Sequence, residues 1–277
     1  MKAICPICPH HCSLELGQTG LCGGRANVDG AVVSTNYGRL TSLSLDPIEK
    51  KPLQNFYPGS YILSVGSYGC NLRCPFCQNH EISMAGPESV LYNLPPEDLI
   101  GMAVKYSHER RGNLGVAFTY NEPFVSYEYV RDCAELLHDV SLKTVLVTNG
   151  MISAEPLEKI LPLIDAMNID LKGFTSAYYD WLGGDLETVK AAIAQSMHAG
   201  CHVEVTTLIV PGKNDSETEM EAEAAWLASV SRELPLHISR FFPQYQVRDI
   251  PETSAETIQR LCTIAKKHLK YVYAGNC

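Results

Sequence analysis

Three cysteines lie within eight residues, in the run Gly69-Cys70-Asn71-Leu72-Arg73-Cys74-Pro75-Phe76-Cys77-Gln78-Asn79. Thiolates at this C-x3-C-x2-C spacing can ligate three irons of a cubane iron–sulfur cluster, which normally takes four protein ligands. The fourth iron then stays open to a substrate or a cofactor. The same cysteines, completed by His80 or another residue, would instead close a zinc site. Gly69 allows backbone to approach such a group closely, and Phe76 offers a flat face for stacking.

A second group, Cys5, Cys8, Cys12 and Cys22, reads C-x2-C-x3-C-x9-C and places four thiolates within 18 residues. Four thiolates complete a metal site unaided, and their softness suits either zinc or an auxiliary iron–sulfur cluster. His10 or His11 can substitute for one of them. The other cysteines, Cys133, Cys201, Cys262 and Cys277, are scattered and read as small buried hydrophobes. Eleven cysteines follow a start, Met1-Lys2-Ala3-Ile4-Cys5, that carries no apolar leader. This combination predicts a cytoplasmic metalloprotein rather than a disulfide framework. No stretch approaches the roughly 20 apolar residues of a membrane span. A net charge of -9, without a basic tract, argues against nucleic acid as a partner.

The elements that must position these residues emerge from position 61 onward. Strand patterns at 61–65, 114–118, 143–148, 166–171, 202–210 and 236–241 alternate with helix patterns at 96–109, 124–139, 154–164, 185–199, 216–231 and 253–268, before a short strand at 271–273. Such alternation predicts βαβ units and a parallel sheet, either an open doubly wound sheet or a partial barrel. Two strands carry one polar face each: His202, Glu204 and Thr206 on one, Asn168, Asp170 and Lys172 on the other. Parallel strands buried on both sides are usually apolar throughout, so a polar face predicts a lumen that holds a charged ligand; ion pairs within the sheet are the alternative. The expected fold is α/β, a partial (β/α)6 TIM-type barrel over 61–277, preceded by a Cys-rich metal module at 1–30 and connecting strands and loop at 31–60. Functional loops of such barrels follow the strand C-termini. Those places hold the cysteine loop, Thr119-Tyr120-Asn121-Glu122-Pro123, Thr148-Asn149-Gly150, Val210-Pro211-Gly212 and the strand end His237-Ile238-Ser239-Arg240. Arg240 can grip a carboxylate or phosphate, or serve a structural salt bridge. His237 and Lys172 are the other candidate catalytic residues.

The loop Cys70–Cys77 with Phe76 before its last cysteine resembles the signature of the radical S-adenosylmethionine superfamily. The resemblance implies a 4Fe-4S cluster on Cys70, Cys74 and Cys77, with S-adenosyl-L-methionine chelated at the open iron. One electron then cleaves the cofactor to a 5′-deoxyadenosyl radical that abstracts hydrogen from a substrate. It further implies that Glu122 accepts a hydrogen bond from the cofactor's ammonium, although the glycines that precede this glutamate in relatives are absent here. Phe76, Thr148, Asn149, Asp170, Thr206 and Val210 are the remaining expected cofactor contacts. Glycyl-radical activases, which Thr148–Gly150 and Asn168–Lys172 resemble, hold a cation with a carboxylate just before Thr-Asn-Gly; that position is Val147 here.

Over nearly the whole chain the sequence resembles the radical enzymes of the AmmeMemoRadiSam group, related to pyruvate formate-lyase activating enzymes. The matching segments are Cys5–Cys12, Gly17–Cys22, Asp46–Leu53, Cys77–Asn79, His237–Pro243 and Tyr271–Asn276. Relatives often continue with more cysteines, so any site at Cys277 is expected to be absent or incomplete. The implied partners are reduced flavodoxin or ferredoxin as electron donor, and a protein substrate or Memo-type partner. Three readings stay open: radical modification of an unidentified substrate, activation of a glycyl-radical protein, and a non-enzymatic iron–sulfur or zinc protein.

Overall fold

Eight strands form one sheet in the computed structural model, which describes residues 1–276. They are β1 (Ser42–Pro47), β2 (Tyr61–Gly66), β3 (Gly115–Phe118), β4 (Lys143–Thr148), β5 (Ala166–Asp170), β6 (His202–Ile209), β7 (Leu236–Arg240) and β8 (Val272–Gly275). Their order across the sheet is their order in the chain. β2 to β8 are parallel, and β1 adds an antiparallel edge against β2. Sequential parallel strands with intervening helices make an α/β partial TIM-type barrel, as the sequence pattern predicted. Cys277 lies outside the described residues. Among those described, no helix is long and apolar enough to cross a membrane.

The longer helices are α1 (Pro96–Ser107), α2 (Tyr127–Asp139), α3 (Ala154–Ile160), α4 (Ser176–Leu182), α5 (Leu186–His198), α6 (Glu217–Val230) and α7 (Ala255–Ala265). Short polar side chains start several of them by accepting an orphan backbone N–H: Ser216 from Glu219 and Ser254 from Thr257. The scattered cysteines Cys133, Cys201 and Cys262 are buried. Helix α4 has no clear periodic signal. Its aromatic run, Tyr178, Tyr179 and Trp181, is capped by Thr175 and stopped by Gly183 in the left-handed region at φ 70°.

Two structural details bear on the expected modules. A hairpin pairs Arg25–Val28 with Ala31–Ser34, so position 30 falls in its turn. β1, drawn from the 31–60 connecting segment, is hydrogen-bonded into the barrel sheet.

The polar strand faces do two things at different depths, forming buried bonds at the floor and lining a cavity above it. At the N-terminal end of β6, Glu204 is fully buried and accepts from Gln54 N (3.0 Å), Asn55 N (2.7 Å), His202 Nε2 (3.0 Å) and His237 Nε2 (2.6 Å). Asn168 joins this floor by donating to Pro52 O at 2.9 Å and accepting from Thr206 Oγ1 at 3.0 Å. Toward the C-terminal end the same faces open into a cavity.

Burial alone would raise the Glu204 carboxyl, but hydrogen bonds from the two histidines and the two backbone N–H groups outweigh it and hold it near about 2, against an ordinary 4.5. A depressed carboxyl contributes stability above its unfolded value and loses it as pH falls through the folded one, here between about 4.5 and about 2. Glu204→Ala leaves these buried donors without an acceptor. It is expected to cost about 3–5 kcal/mol, checked by denaturant unfolding; wild-type stability would refute this account of the floor.

Candidate functional site

A cavity of about 350 Å³ opens where the parallel strands end. Its wall includes Cys70, Cys74 and Cys77 together with Glu122, Thr148, Asn149, Asp170, Lys172 and Thr206. The cysteines reach it on the loop that follows β2. That loop is held by backbone bonds on all sides: Cys70 N to Cys22 O (3.1 Å), Arg73 N to Leu182 O (2.8 Å) and Gln246 N to Pro75 O (2.9 Å). Asn121 secures its start, accepting from Ser67 N at 2.9 Å and donating to Gly69 O at 3.1 Å.

Gly69 has φ 97°, and a Cβ there would stand 2.9 Å from Cys22 O. Strain in the backbone and crowding therefore act together. Gly69→Ala is expected to cost roughly 1–3 kcal/mol, read as a lower midpoint in urea; an unchanged midpoint would contradict the tight apposition.

Glu122 is 2 % exposed, and its carboxylate ties its own loop to the end of β4. Oε1 accepts from Phe124 N (3.0 Å) and Thr148 Oγ1 (2.8 Å), and Oε2 accepts from Asn149 N (2.8 Å). Burial pushes its carboxyl up to about 7; these three bonds pull the other way. Asn149 then donates to Asn71 Oδ1 at 2.9 Å and approaches Cys70 Sγ at 3.6 Å. Thr148 and Asn149 thus connect the end of β4 to the cysteine loop.

Asp170, at the end of β5, accepts from Lys172 Nζ at 2.7 Å. Burial disfavours the Lys172 ammonium, but Asp170 and the Cys74 sulfur beside it hold its pKa above the usual range. A fixed cation of the chain itself therefore sits beside Asp170, and the apolar Val147 lines the same wall. Phe76 also lines the cavity, with its ring set among Trp181 at 5.5 Å and Phe241 at 6.4 Å.

Three predicted site residues stand outside the cavity lining. Period-two alternation along β7 points His237 and Ser239 inward and sends Arg240 to the other face. Arg240 donates to Thr253 O (2.7 Å) and Glu252 (3.0 Å), so it is the structural salt bridge and not an anion grip. His237 points inward but sits too deep, bonded to Glu204 and stacked on Tyr273. Val210 has both backbone groups occupied: its N–H donates to Asn214 Oδ1 at 2.7 Å, and its carbonyl accepts from Lys213 N at 3.1 Å. Leu208 and Ser239 take their places in the wall.

The sequence reading passed over Asn71 and Arg73, which look like filler between cysteines. It also missed the pairing of Tyr120 with Asp46, at 2.8 Å, and of Asp46 with the buried Lys51, at 2.9 Å. The Asp46–Lys51 segment was visible only as a motif, because its partner Tyr120 is far away in the chain.

The N-terminal group gathers around a second, small cavity of about 20 Å³, lined by Cys5, Cys8, Cys12 and Cys22 with His10, Arg25 and Asn71. Arg25 is 3 % exposed and paired with Glu128 at 2.7 Å, while its Nε makes no well-formed hydrogen bond among the described residues. Among those residues, no three His, Cys, Asp or Glu side chains are gathered to hold a metal ion, at this site or at the cysteine loop.

Residues 64–225 match the family model described as the Radical SAM superfamily. An uncharacterized protein of Methanocaldococcus jannaschii, MJ0808, is 40% identical over 278 residues, covering 99% of this chain and 81% of its own length. The 4-hydroxyphenylacetate decarboxylase activating enzyme of Clostridioides difficile is 30% identical over 76 residues, which are 27% of this chain and 24% of that protein. Among solved structures, a radical SAM methyltransferase from Sphaerobacter thermophilus superposes with a TM-score of 0.58 at 19% identity, over 79% of this chain and 67% of that one. A domain of pyruvate-formate lyase-activating enzyme from Bacteroides vulgatus superposes with a TM-score of 0.52 at 18% identity, over 58% of this chain and 98% of the domain.

Proposed function

The chain belongs to the radical SAM superfamily, and from that premise we propose that Cys70, Cys74 and Cys77 hold a 4Fe-4S cluster whose open iron takes S-adenosylmethionine in the cavity they line. The chain is a radical SAM enzyme, so the reading as a non-enzymatic metal protein falls away. One observation carries the proposal: all three cysteines of one loop share a single cavity wall with Glu122, Thr148, Asn149, Asp170 and Thr206. The donor set suits the group, since three sulfurs leave one cluster iron open. Burial pushes the Cys74 thiol up to about 11, with Lys172 opposing, so ionised sulfur there needs the added positive charge that iron brings.

When bound, cluster and cofactor supply reductive sulfonium cleavage and hydrogen abstraction by a 5′-deoxyadenosyl radical. The chain's own residues bind and orient. Glu122 accepts the cofactor ammonium in a nearly dry site, where a charge-assisted hydrogen bond is strong. The Asp170–Lys172 pair presents a carboxylate and an ammonium to the cofactor's polar groups, and Thr206 adds a hydroxyl. Phe76 and Val147 supply apolar wall that limits water around a reactive intermediate.

The hydrogen is taken from a substrate not yet identified. A second reading, in which the target is a backbone position of a partner protein, is favoured by the 76-residue similarity to a decarboxylase activating enzyme. Reduced flavodoxin or ferredoxin is the fitting electron donor, and a Memo-type protein remains within the proposal as a partner. The test is anaerobic reconstitution followed by dithionite reduction and chromatography for 5′-deoxyadenosine. Protein with a verified cluster on the Cys70–Cys77 loop that forms none would overturn the proposal.

A further inference from the structure

Two cysteine groups far apart in the chain meet through one hydrogen bond. Cys70 N donates to Cys22 O at 3.1 Å, so each end of that bond belongs to a candidate ligand. The path from Cys22 Sγ runs through its own side chain and carbonyl, across the hydrogen bond, and out along Cys70 to its Sγ. Glycines bring the two backbones together: a Cβ on Gly69 would lie 2.9 Å from Cys22 O and 3.3 Å from Gly24 N. Two side chains reinforce the contact. Arg73 donates to Leu21 O and to Cys70 O, and His10 Nε2 bonds Asn71 O at 2.8 Å.

Several observations bear on what the N-terminal group holds. Its ligand set is four sulfurs around one cavity. A tetrahedral zinc ion needs four sulfurs at about 2.3 Å from one point, and among the described residues no three such side chains converge that closely. The cysteine loop that we assign to a cluster has the same property; a cubane spreads its ligand sulfurs around a larger body. Arg25 supplies the independent sign. Arg25 lines the cavity beside the Cys5 sulfur, its buried Nε–H makes no well-formed hydrogen bond there, and buried donors normally have an acceptor. Cluster sulfide and ligand thiolate are such acceptors, and hydrogen bonds to them tune cluster potentials.

Resting on the function proposed above, we propose that Cys5, Cys8, Cys12 and Cys22 ligate a second iron–sulfur cluster that relays electrons to the cluster of the Cys70–Cys77 loop across the Cys22–Cys70 hydrogen bond. Four cysteine ligands leave no open iron, so this cluster carries charge and does not bind substrate. One electron from a reduced flavodoxin or ferredoxin reduces it. Passing that electron to the second cluster re-oxidises it, and no atom or proton moves between them.

The full chain, reconstituted anaerobically, tests this. A Cys70→Ala/Cys74→Ala/Cys77→Ala variant is expected to keep about four irons and four sulfides and a reducible paramagnetic signal; zinc in place of iron, or no metal, would overturn the assignment. Because that variant lacks the other cluster, its result is independent of whether the wild type cleaves S-adenosylmethionine. In the fully reduced wild type, the electron paramagnetic resonance spectrum should show spin–spin broadening that the triple variant lacks. An unbroadened sum of two signals would overturn the contact, and this needs no N-terminal mutation. In Cys8→Ala, the ratio of the 5′-deoxyadenosine rate driven by reduced flavodoxin to that driven by dithionite should fall roughly tenfold or more. An unchanged ratio overturns the relay.

Discussion

Cys74→Ala, reconstituted anaerobically and reduced, is expected to form no 5′-deoxyadenosine above background, a loss of about a thousandfold or more. Cys74 is 7 % exposed and lines the cavity, and its sulfur is one of three that would hold the cluster. The loop's shape does not depend on that sulfur. Its supports are the backbone bonds from Arg73 N to Leu182 O, from Cys77 N to Cys74 O and from Gln246 N to Pro75 O, all of which an alanine keeps. The variant should therefore lose chemistry while keeping its fold. Far-ultraviolet circular dichroism and thermal unfolding check the fold, and chromatography checks the chemistry. Product at the wild-type rate would remove Cys74 from the site.

Glu122→Gln is expected to weaken S-adenosylmethionine binding by roughly tenfold or more and to destabilise the chain by about 2–3 kcal/mol. Both effects follow from one geometry. The carboxylate accepts three donors, with Phe124 N and Thr148 Oγ1 on one oxygen and Asn149 N on the other. A glutamine turns one of those acceptor positions into a donor, and a buried N–H or O–H then faces an N–H.

The same carboxyl sets a pH dependence. Burial raises it to about 7 from an ordinary 4.5. As pH falls through about 7 the empty folded site takes up a proton that must leave before an ammonium binds. Wild-type affinity should thus weaken below about pH 7, by at most about tenfold per unit, and level off above it. The linkage to stability has the opposite sign to that of Glu204. Between about 4.5 and about 7 the folded chain holds a proton that the unfolded chain has released, so this group's contribution falls as pH rises. Calorimetric titration of S-adenosylmethionine at several pH values, on wild type and variant, measures all of this. A wild-type affinity that does not change with pH would leave Glu122 only its structural role.

The parts of the site that were legible are those whose meaning lies in short stretches of chain. Cysteine spacing and the alternation of strands and helices each involve a few neighbouring residues. The polar faces of β5 and β6 were legible as faces, because side chains alternate strictly along a strand. How deep each residue sits was not: Glu204 and Asp170 share the pattern, but one closes the floor and the other borders the cavity. Arg240 shows the limit most clearly. A phase of one residue along β7 turned it from a candidate ligand grip into a partner of Glu252 and Thr253.

The sequence by itself determined the chemistry available to this protein: two sets of thiol ligands, an alternation of strands and helices, and carboxylates at the strand ends. Those properties follow from residue type and local spacing, which no tertiary contact can alter. Only the tertiary structure decided which groups meet. It tied Glu122 to Thr148 and Asn149, filled the barrel floor with the Glu204 network, and set Cys22 against Cys70. Each of these contacts joins residues distant in the chain. Their free energy depends on the packing of everything between them, so no short pattern records it.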